Sequence, residues 1–132
     1  MKRYLLDTNT VIAVLNNKDS RPSRRLRQCA PTEICLPSIV IHELFYGAFK
    51  SQRSERNLAL VDALQFEVLD FDREDARQAG AIRAVLAGKG TPIGPYDVLI
   101  AGQAKARGMT LVTHNSQEFK RVPGLDVEDW EE

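Results

Sequence analysis

The sequence of 132 residues predicts an α/β fold with a largely parallel central sheet. Short apolar segments without polar alternation, such as 4–6 and 34–36, are typical of strands that are covered on both faces. These segments alternate along the chain with longer ones that have helix-start and helix-stop residues. Parallel strands need such a crossover between them, so the alternation itself predicts a parallel sheet. We expect residues 1–132 to form a single domain.

The predicted elements account for most of the chain. The strands are expected at 4–6, 34–36, 67–71 and 110–113, with 126–130 as a short fifth strand. The helices are expected at 10–16, 22–28, 38–50, 54–64, 72 or 73 to 87, and 95–107. Pro37 ends the second strand, and Ser38 is the predicted N-cap of the helix that follows. Pro95 holds the favoured first position of its helix, whereas Gly88 and Gly90 end the preceding one.

Composition and charge narrow the class of protein. The chain is 43% hydrophobic and 27% charged, as in globular proteins, and 18 basic residues balance 18 acidic ones. A net charge of zero argues against binding to nucleic acid or membranes through charge alone, although acids and bases could still be segregated. With no secretory signal and no apolar segment near the ~20 residues of a membrane span, we expect a cytoplasmic protein without membrane contact. We also expect Cys29 and Cys35 to be free thiols.

Four polar residues from distant parts of the chain are predicted to meet at one edge of the sheet. Asp7 ends the first strand, Asn115 follows the fourth, and Asp97 lies in the first turn of a helix. The carboxyl ends of parallel strands and the starts of the following helices share the edge at which ligands bind. Glu43 lies in a helix that is apolar nearly all round, where an unpaired carboxylate would be costly. We therefore expect Glu43 to join this group.

Each of the four also has a purely structural interpretation when it is taken alone. Asp7 could be a helix cap, Asp97 a first-turn acid, Glu43 part of a solvated stripe and Asn115 a turn residue. Their convergence favours a functional site, because carboxylates without adjacent Lys or Arg repel one another unless a cation or shared protons intervene. Oxygen-rich sites suit Mg²⁺ or Mn²⁺, which activate water and neutralise charge on phosphate. The predicted chemistry is metal-assisted hydrolysis of a phosphodiester.

Four segments of the chain match the motifs of a known family. The segments are "LLDTN", "IHELFYGA", "GPYDVLIAGQAKARG" and "LVTHNSQEF". In this order they resemble the successive motifs of PIN-domain ribonucleases. The whole chain, including the closing "DVEDW", more closely resembles the VapC toxins of bacterial toxin–antitoxin pairs. The resemblance implies a three-layer α/β/α sandwich and a metal-dependent endoribonuclease that acts on structured RNA, often transfer RNA, with the initiator transfer RNA prominent.

The resemblance also implies roles for individual residues. The acidic metal-binding site of the family maps onto Asp7, Glu43 and Asp97, which we expect to bind Mg²⁺ or Mn²⁺. The fourth catalytic position, often aspartate in the family, is Asn115 here and carries one negative charge fewer. Glu118 could compensate for that charge, although we interpret it as a solvated helix residue.

Partners follow from the same resemblance. The family implies a cognate VapB-like antitoxin that wraps a segment around the toxin and places a basic side chain in the acidic pocket. It implies that the toxin forms homodimers, inhibits translation, and contacts operator DNA only through the antitoxin.

Other functions remain compatible with the residues themselves. His42 and His114 could act as general acid and base in a metal-free ribonuclease, which would leave a 2′,3′-cyclic phosphate rather than a 5′-phosphate. The chain could also be a non-catalytic binding partner in an autoregulatory transcription complex. An aspartyl-phosphate hydrolase built on Asp7 is disfavoured, because Asn9 stands where that chemistry would want a second aspartate.

Overall fold

A computed structural model, which describes residues 2–131, contains the predicted parallel sheet. Its five strands are β1 (Tyr4–Leu6), β2 (Ile34–Pro37), β3 (Glu67–Leu69), β4 (Thr110–Val112) and β5 (Val127–Glu128). Their order across the sheet is β3-β2-β1-β4-β5, and each adjacent pair is parallel. Every residue of β1, β2 and β4 is buried, which explains why these segments are apolar without alternation.

Seven α-helices in the described part of the chain cover the sheet in an α/β/α sandwich. They are α1 (Thr8–Asn16), α2 (Arg21–Arg27), α3 (Ser38–Lys50), α4 (Ser54–Asp62), α5 (Arg73–Gly88), α6 (Pro95–Ala106) and α7 (Ser116–Phe119). A short 3-10 turn at Pro31–Glu33 precedes β2. The predicted fold class is thus confirmed, and the structure adds the one-turn helix α7 to the predicted elements.

Several predicted boundaries differ from the structure by one or two residues, and three of them have a visible local reason. Helix α1 begins at Thr8, two residues early, because Asp7 is its N-cap. Ser38 is the first residue of α3 rather than its cap, and Pro37 holds the cap position without a capping side chain. Strand β3 stops at Leu69. The carbonyl of the next residue, Asp70, accepts hydrogen bonds from the side chains of Gln103 in α6 and of Arg107, which directly follows α6, and so does not pair with a strand.

The remaining expectations about the chain as a whole can be compared directly with the structure. Cys29 and Cys35 are both free thiols, as predicted. Within residues 2–131, no helix combines the length and the apolar character that crossing a bilayer requires.

Helices α5 and α6 pack closely because a glycine lies at their contact. A Cβ added to Gly102 would lie 2.6 Å from the backbone N and Cα of Ala79, far inside van der Waals contact. We expect Gly102→Ala to lower the free energy of unfolding by about 1–3 kcal/mol, since the two backbones must separate. Gly80→Ala is the matched control, because no atom lies within 4 Å of its added Cβ. Denaturant titration should show the control unchanged or more stable by about 0.4–1 kcal/mol; equal effects of the two substitutions would contradict the close packing.

Candidate metal site

Asp7 lies at the carboxyl end of β1, between the sheet and the first helix. Its side chain is 5% exposed, and its Oδ1 accepts a hydrogen bond from the backbone N–H of Thr10 at 2.9 Å. Its own backbone N–H donates to the carbonyl of Val112 in β4, which ties the residue to the neighbouring strand. Burial raises the pKa of the Asp7 carboxyl, and hydrogen bonds from Thr113 and Thr10 oppose that rise. Asp7 is therefore a helix cap and, at the same time, a buried carboxylate at the predicted edge.

Glu43 reaches the same edge from α3. Its Oε1 accepts a hydrogen bond of 2.9 Å from the hydroxyl of Thr8, the first residue of α1. The side chain is half-buried and borders two grooves that flank α3. Because Thr8 directly follows Asp7, this bond brings Glu43 to the end of β1. Glu43 is thus held against the start of α1 instead of pointing freely into solvent.

Asp97, in the first turn of α6, is where the acidic residues act on one another. Burial raises the pKa of Asp97 to about 6, and the negative charges of Glu118, Asp7 and Glu43 add to the rise. Gly94 precedes the helix, and a Cβ there would lie 3.2 Å from Asp97 Oδ2. The glycine thus leaves room for the carboxylate. The structure brings Asp7, Glu43 and Asp97 to one edge, as the sequence predicted.

Asn115 and Glu118 complete the edge in a way that the sequence did not reveal. The Nδ2 of Asn115 donates to Glu118 Oε2 at 2.7 Å, and Glu118 Oε1 accepts from the backbone N–H of Gly94 at 2.9 Å. These two bonds lower the pKa of Glu118, so the group is a carboxylate. Glu118 does lie on a helix and is partly exposed, but the interpretation as a solvated residue was incomplete, because Glu118 connects α7 to the loop before α6. Its three-residue spacing from Asn115 was the only sequence signal.

The chemistry of the gathered side chains fits a divalent cation. Among residues 2–131, Asp7, Glu43 and Asp97 form no ion pair with a basic side chain. The donors are all oxygens, which Mg²⁺ and Mn²⁺ prefer. The oxygens of these three residues do not form one tight cluster. Within the described residues, the group of His, Cys, Asp or Glu side chains whose ligand atoms all lie within 4.8 Å of one another is His114, Asp129 and Glu131. Uncompensated like charges favour such separation.

The two histidines are held by different partners. The ring of His42 packs edge-to-face on Tyr96, with ring centroids 5.4 Å apart. His114 Nδ1 lies 3.0 Å from a carboxylate oxygen of Asp129 and 3.3 Å from one of Glu131. Two side-chain carboxylates near the end of the chain thus contact His114. This arrangement does not support the metal-free mechanism, in which His42 and His114 act as general acid and base.

Comparison with known proteins gives the family. The sequence profile of the PIN domain family matches residues 4–125. The chain is 48% identical to the tRNA(fMet)-specific endonuclease VapC of Salmonella typhimurium, over 98% of this chain and 99% of the relative. It is 44% identical to the protein of the same name from Shigella flexneri, with the same coverage.

Solved structures agree with the sequence relatives. The chain superposes on DNA-bound VapBC from Salmonella typhimurium with a TM-score of 0.92 and 48% identity, covering 98% of this chain and 99% of that one. VapBC2 from Rickettsia felis, bound to a promoter DNA fragment, gives a TM-score of 0.90 and 38% identity, and the match covers 96% of this chain and 98% of that one. The chain therefore belongs to the PIN domain family and, within that family, to the VapC proteins.

Proposed function

We propose that residues 1–132 act as one domain, a metal-dependent endoribonuclease toxin that hydrolyses phosphodiester bonds in structured RNA and so inhibits translation. The observation that carries the proposal is the group of carboxylates at the sheet edge, where Asp7, Glu43 and Glu118 help to raise the pKa of Asp97 to about 6. We infer that initiator transfer RNA is the substrate, because two close relatives are named tRNA(fMet)-specific endonucleases. This substrate would place the protein in the cytoplasm.

PIN-domain nucleases generally need a divalent metal ion, and the donor set of this chain suits Mg²⁺ or Mn²⁺. Asp7, Glu43 and Asp97 would hold the ion, while Asn115 acts through Glu118, which it hydrogen-bonds. When bound, the ion would supply an activated water and neutralise charge that builds on the phosphate.

The protein's own contribution is to fix the carboxylates before substrate arrives. Thr10 and Thr113 orient the Asp7 carboxylate, and the Thr8 hydroxyl orients Glu43. Glu118 holds the Gly94 amide and thereby the start of the helix that carries Asp97. Side chains that are held in this way lose little conformational entropy when they bind, which is the usual benefit of a preorganised site.

A matched pair of substitutions at Thr8 tests this positioning role. Thr8→Val removes the hydroxyl that donates to Glu43 but keeps the shape of the side chain, so we expect activity to fall by about 10- to 100-fold, as for other groups that orient metal ligands. Thr8→Ser keeps the donor and should retain most of the activity. Steady-state cleavage of RNA measures both, and similar rates for the two variants would show that the hydrogen bond is dispensable.

We further propose that a VapB-like antitoxin binds the apolar groove between α1, α3 and α4. The groove is lined mainly by the side chains of Ile12, Leu15, Leu44, Ala48, Leu60 and Val61. Glu43 also borders it, so a bound segment could extend a basic side chain to the carboxylates. Two of the solved relatives are VapBC complexes bound to DNA, which supports an antitoxin that carries the operator contacts. We also propose that the toxin acts as a homodimer, as the family resemblance implies.

Sequencing of RNA ends in cells tests the proposed function. After brief induction, we expect new 5′ ends at one position of the initiator transfer RNA, together with growth arrest. Both should be absent when Asp7→Ala is induced to the same protein level. Growth arrest that persists with Asp7→Ala would instead support the non-catalytic binding role.

A further inference from the structure

A groove with aromatic walls borders the carboxylates, and we refer to it as the rim groove. Its lining includes Thr8, His42, Glu43, Tyr46, Lys50 and Tyr96. Thr8 and Glu43 are the hydrogen-bonded pair at the end of β1, so the groove leads directly to the candidate metal site. A ligand in the rim groove would therefore lie beside the carboxylates of the candidate metal site.

The first aromatic wall is formed by two rings that each precede a site carboxylate in sequence. His42 precedes Glu43 on α3, and Tyr96 precedes Asp97 on α6. Their rings meet at an interplanar angle of 62° with centroids 5.4 Å apart, which joins the two helices at the rim. Tyr96 leaves 46% of its surface exposed, so part of its ring is accessible to a ligand.

The second wall combines an aromatic ring with a positive charge. Tyr46 is 62% exposed, and the Nζ of Lys50, one turn later on α3, lies 4.8 Å from the centre of its ring. Within residues 2–131, Lys50 forms no ion pair with a carboxylate. Its charge is therefore not neutralised by a neighbouring acid and can meet an anion.

This pairing of chemistries matches a nucleotide. Unpaired bases stack on aromatic side chains, and the adjoining phosphates bind Lys or Arg. An apolar protein segment would use the rings but would gain little from Lys50. We propose that the rim groove receives an unpaired nucleotide of the RNA substrate next to the scissile phosphate, with its base on Tyr96 and a phosphate on Lys50.

This inference rests on the proposed ribonuclease function and adds a reason for its selectivity. Only a base that has left the helical stack can enter the groove. Cleavage would therefore be confined to loops of a structured RNA, and base-paired stems would be spared. The groove would also set which nucleotide in the loop lies beside the cut.

A double-mutant cycle that combines a substitution in the enzyme with a change in the RNA substrate tests the proposal. The substrate is a synthetic RNA stem-loop that contains the mapped cut site, with an abasic nucleotide placed in turn at each loop position beside the cut. For the wild type, we expect one of these positions to raise KM by on the order of 10-fold, the cost of one lost stacking contact. Tyr96→Ala should raise KM for the intact RNA by a similar factor and should show no further loss with that abasic RNA. Tyr96→Phe should behave as the wild type.

A control variant and a replacement variant make the result decisive. Phe49→Ala removes an aromatic side chain that is 68% exposed on the same helix as Tyr46 but outside the groove lining, and it should leave KM unchanged. Tyr96→Leu replaces Tyr96→Ala if that variant does not fold. If the abasic penalty is the same in wild type and Tyr96→Ala at every position, the nucleotide subsite is refuted, although cleavage itself stands. If the wild type cuts no RNA, the proposed function fails first.

Discussion

Replacing Asp97 by asparagine is expected to abolish RNA cleavage and, at the same time, to stabilise the metal-free protein at neutral pH. The two effects have one cause, because Asp97 is a half-buried carboxylate held among other carboxylates. Asparagine keeps the shape of the side chain but removes the charge that a divalent cation needs. We expect activity to fall by at least about 100-fold, more than for a residue that only orients a ligand.

The stability effect follows from the raised pKa of Asp97. In the folded protein this pKa is about 6, whereas aspartate in an unfolded chain titrates at about 4. Between these values the folded protein retains a proton that the unfolded chain has lost, so the free energy of unfolding falls as the pH rises from about 4 to about 6. Above about 6 the carboxylate is ionised in both states, and the loss is complete.

Denaturant titrations across pH 4–7 in the presence of EDTA measure this contribution. The difference in unfolding free energy between Asp97→Asn and the wild type should grow through the window between about 4 and 6, in favour of the variant. Adding Mg²⁺ or Mn²⁺ should stabilise the wild type more than the variant, because only the wild type keeps all three proposed ligands. A difference that stays constant with pH would mean that the pKa of Asp97 is not raised in the folded protein.

Substitutions at Asp7 are expected to separate its two roles. Asparagine is as good an N-cap as aspartate, so Asp7→Asn should keep the hydrogen bond to the Thr10 amide and should fold normally. Its activity should nevertheless fall by at least about 100-fold, because the buried negative charge is gone. Asp7→Ala should lose the activity to the same extent and, in addition, about 1 kcal/mol of stability through the lost cap.

The comparison between these two variants decides between interpretations of Asp7. If Asp7 were only a helix cap, Asp7→Asn would remain active and only Asp7→Ala would be impaired. Thermal or denaturant unfolding and RNA cleavage, measured on the same preparations, give both quantities. Wild-type activity in Asp7→Asn would remove Asp7 from the metal site.

The strands of the sheet could be predicted from the sequence, because their apolar patterns are local. Segments 4–6, 34–36 and 110–113 are apolar without alternation, and the structure buries the corresponding strands on both faces. The edge strand β3 was predicted too long, since Asp70 and Phe71 continue its pattern. Only the folded chain shows that the Asp70 carbonyl is bound by Gln103 and Arg107, more than 30 residues away in sequence.

The candidate site, too, could be predicted from the sequence only in part. Asp7, Asp97 and Asn115 could be placed at one edge because strand ends and helix starts define it. The role of Glu118 could not be predicted, because it depends on a backbone amide, that of Gly94, which lies 24 residues earlier. Two hydroxyl groups support the carboxylates in the folded chain, through a hydrogen bond from Thr8 to Glu43 and one from Thr113 to Asp7.

We propose that the gathered carboxylates hold a divalent metal ion for the hydrolysis of RNA. The most direct measurement is cleavage of purified initiator transfer RNA by the purified protein, with the new ends identified chemically. We predict fragments that carry a 5′-phosphate, formed only with Mg²⁺ or Mn²⁺ present and absent in EDTA. Cleavage that continues in EDTA and leaves a 2′,3′-cyclic phosphate would rule out metal-assisted hydrolysis and would favour chemistry by His42 and His114.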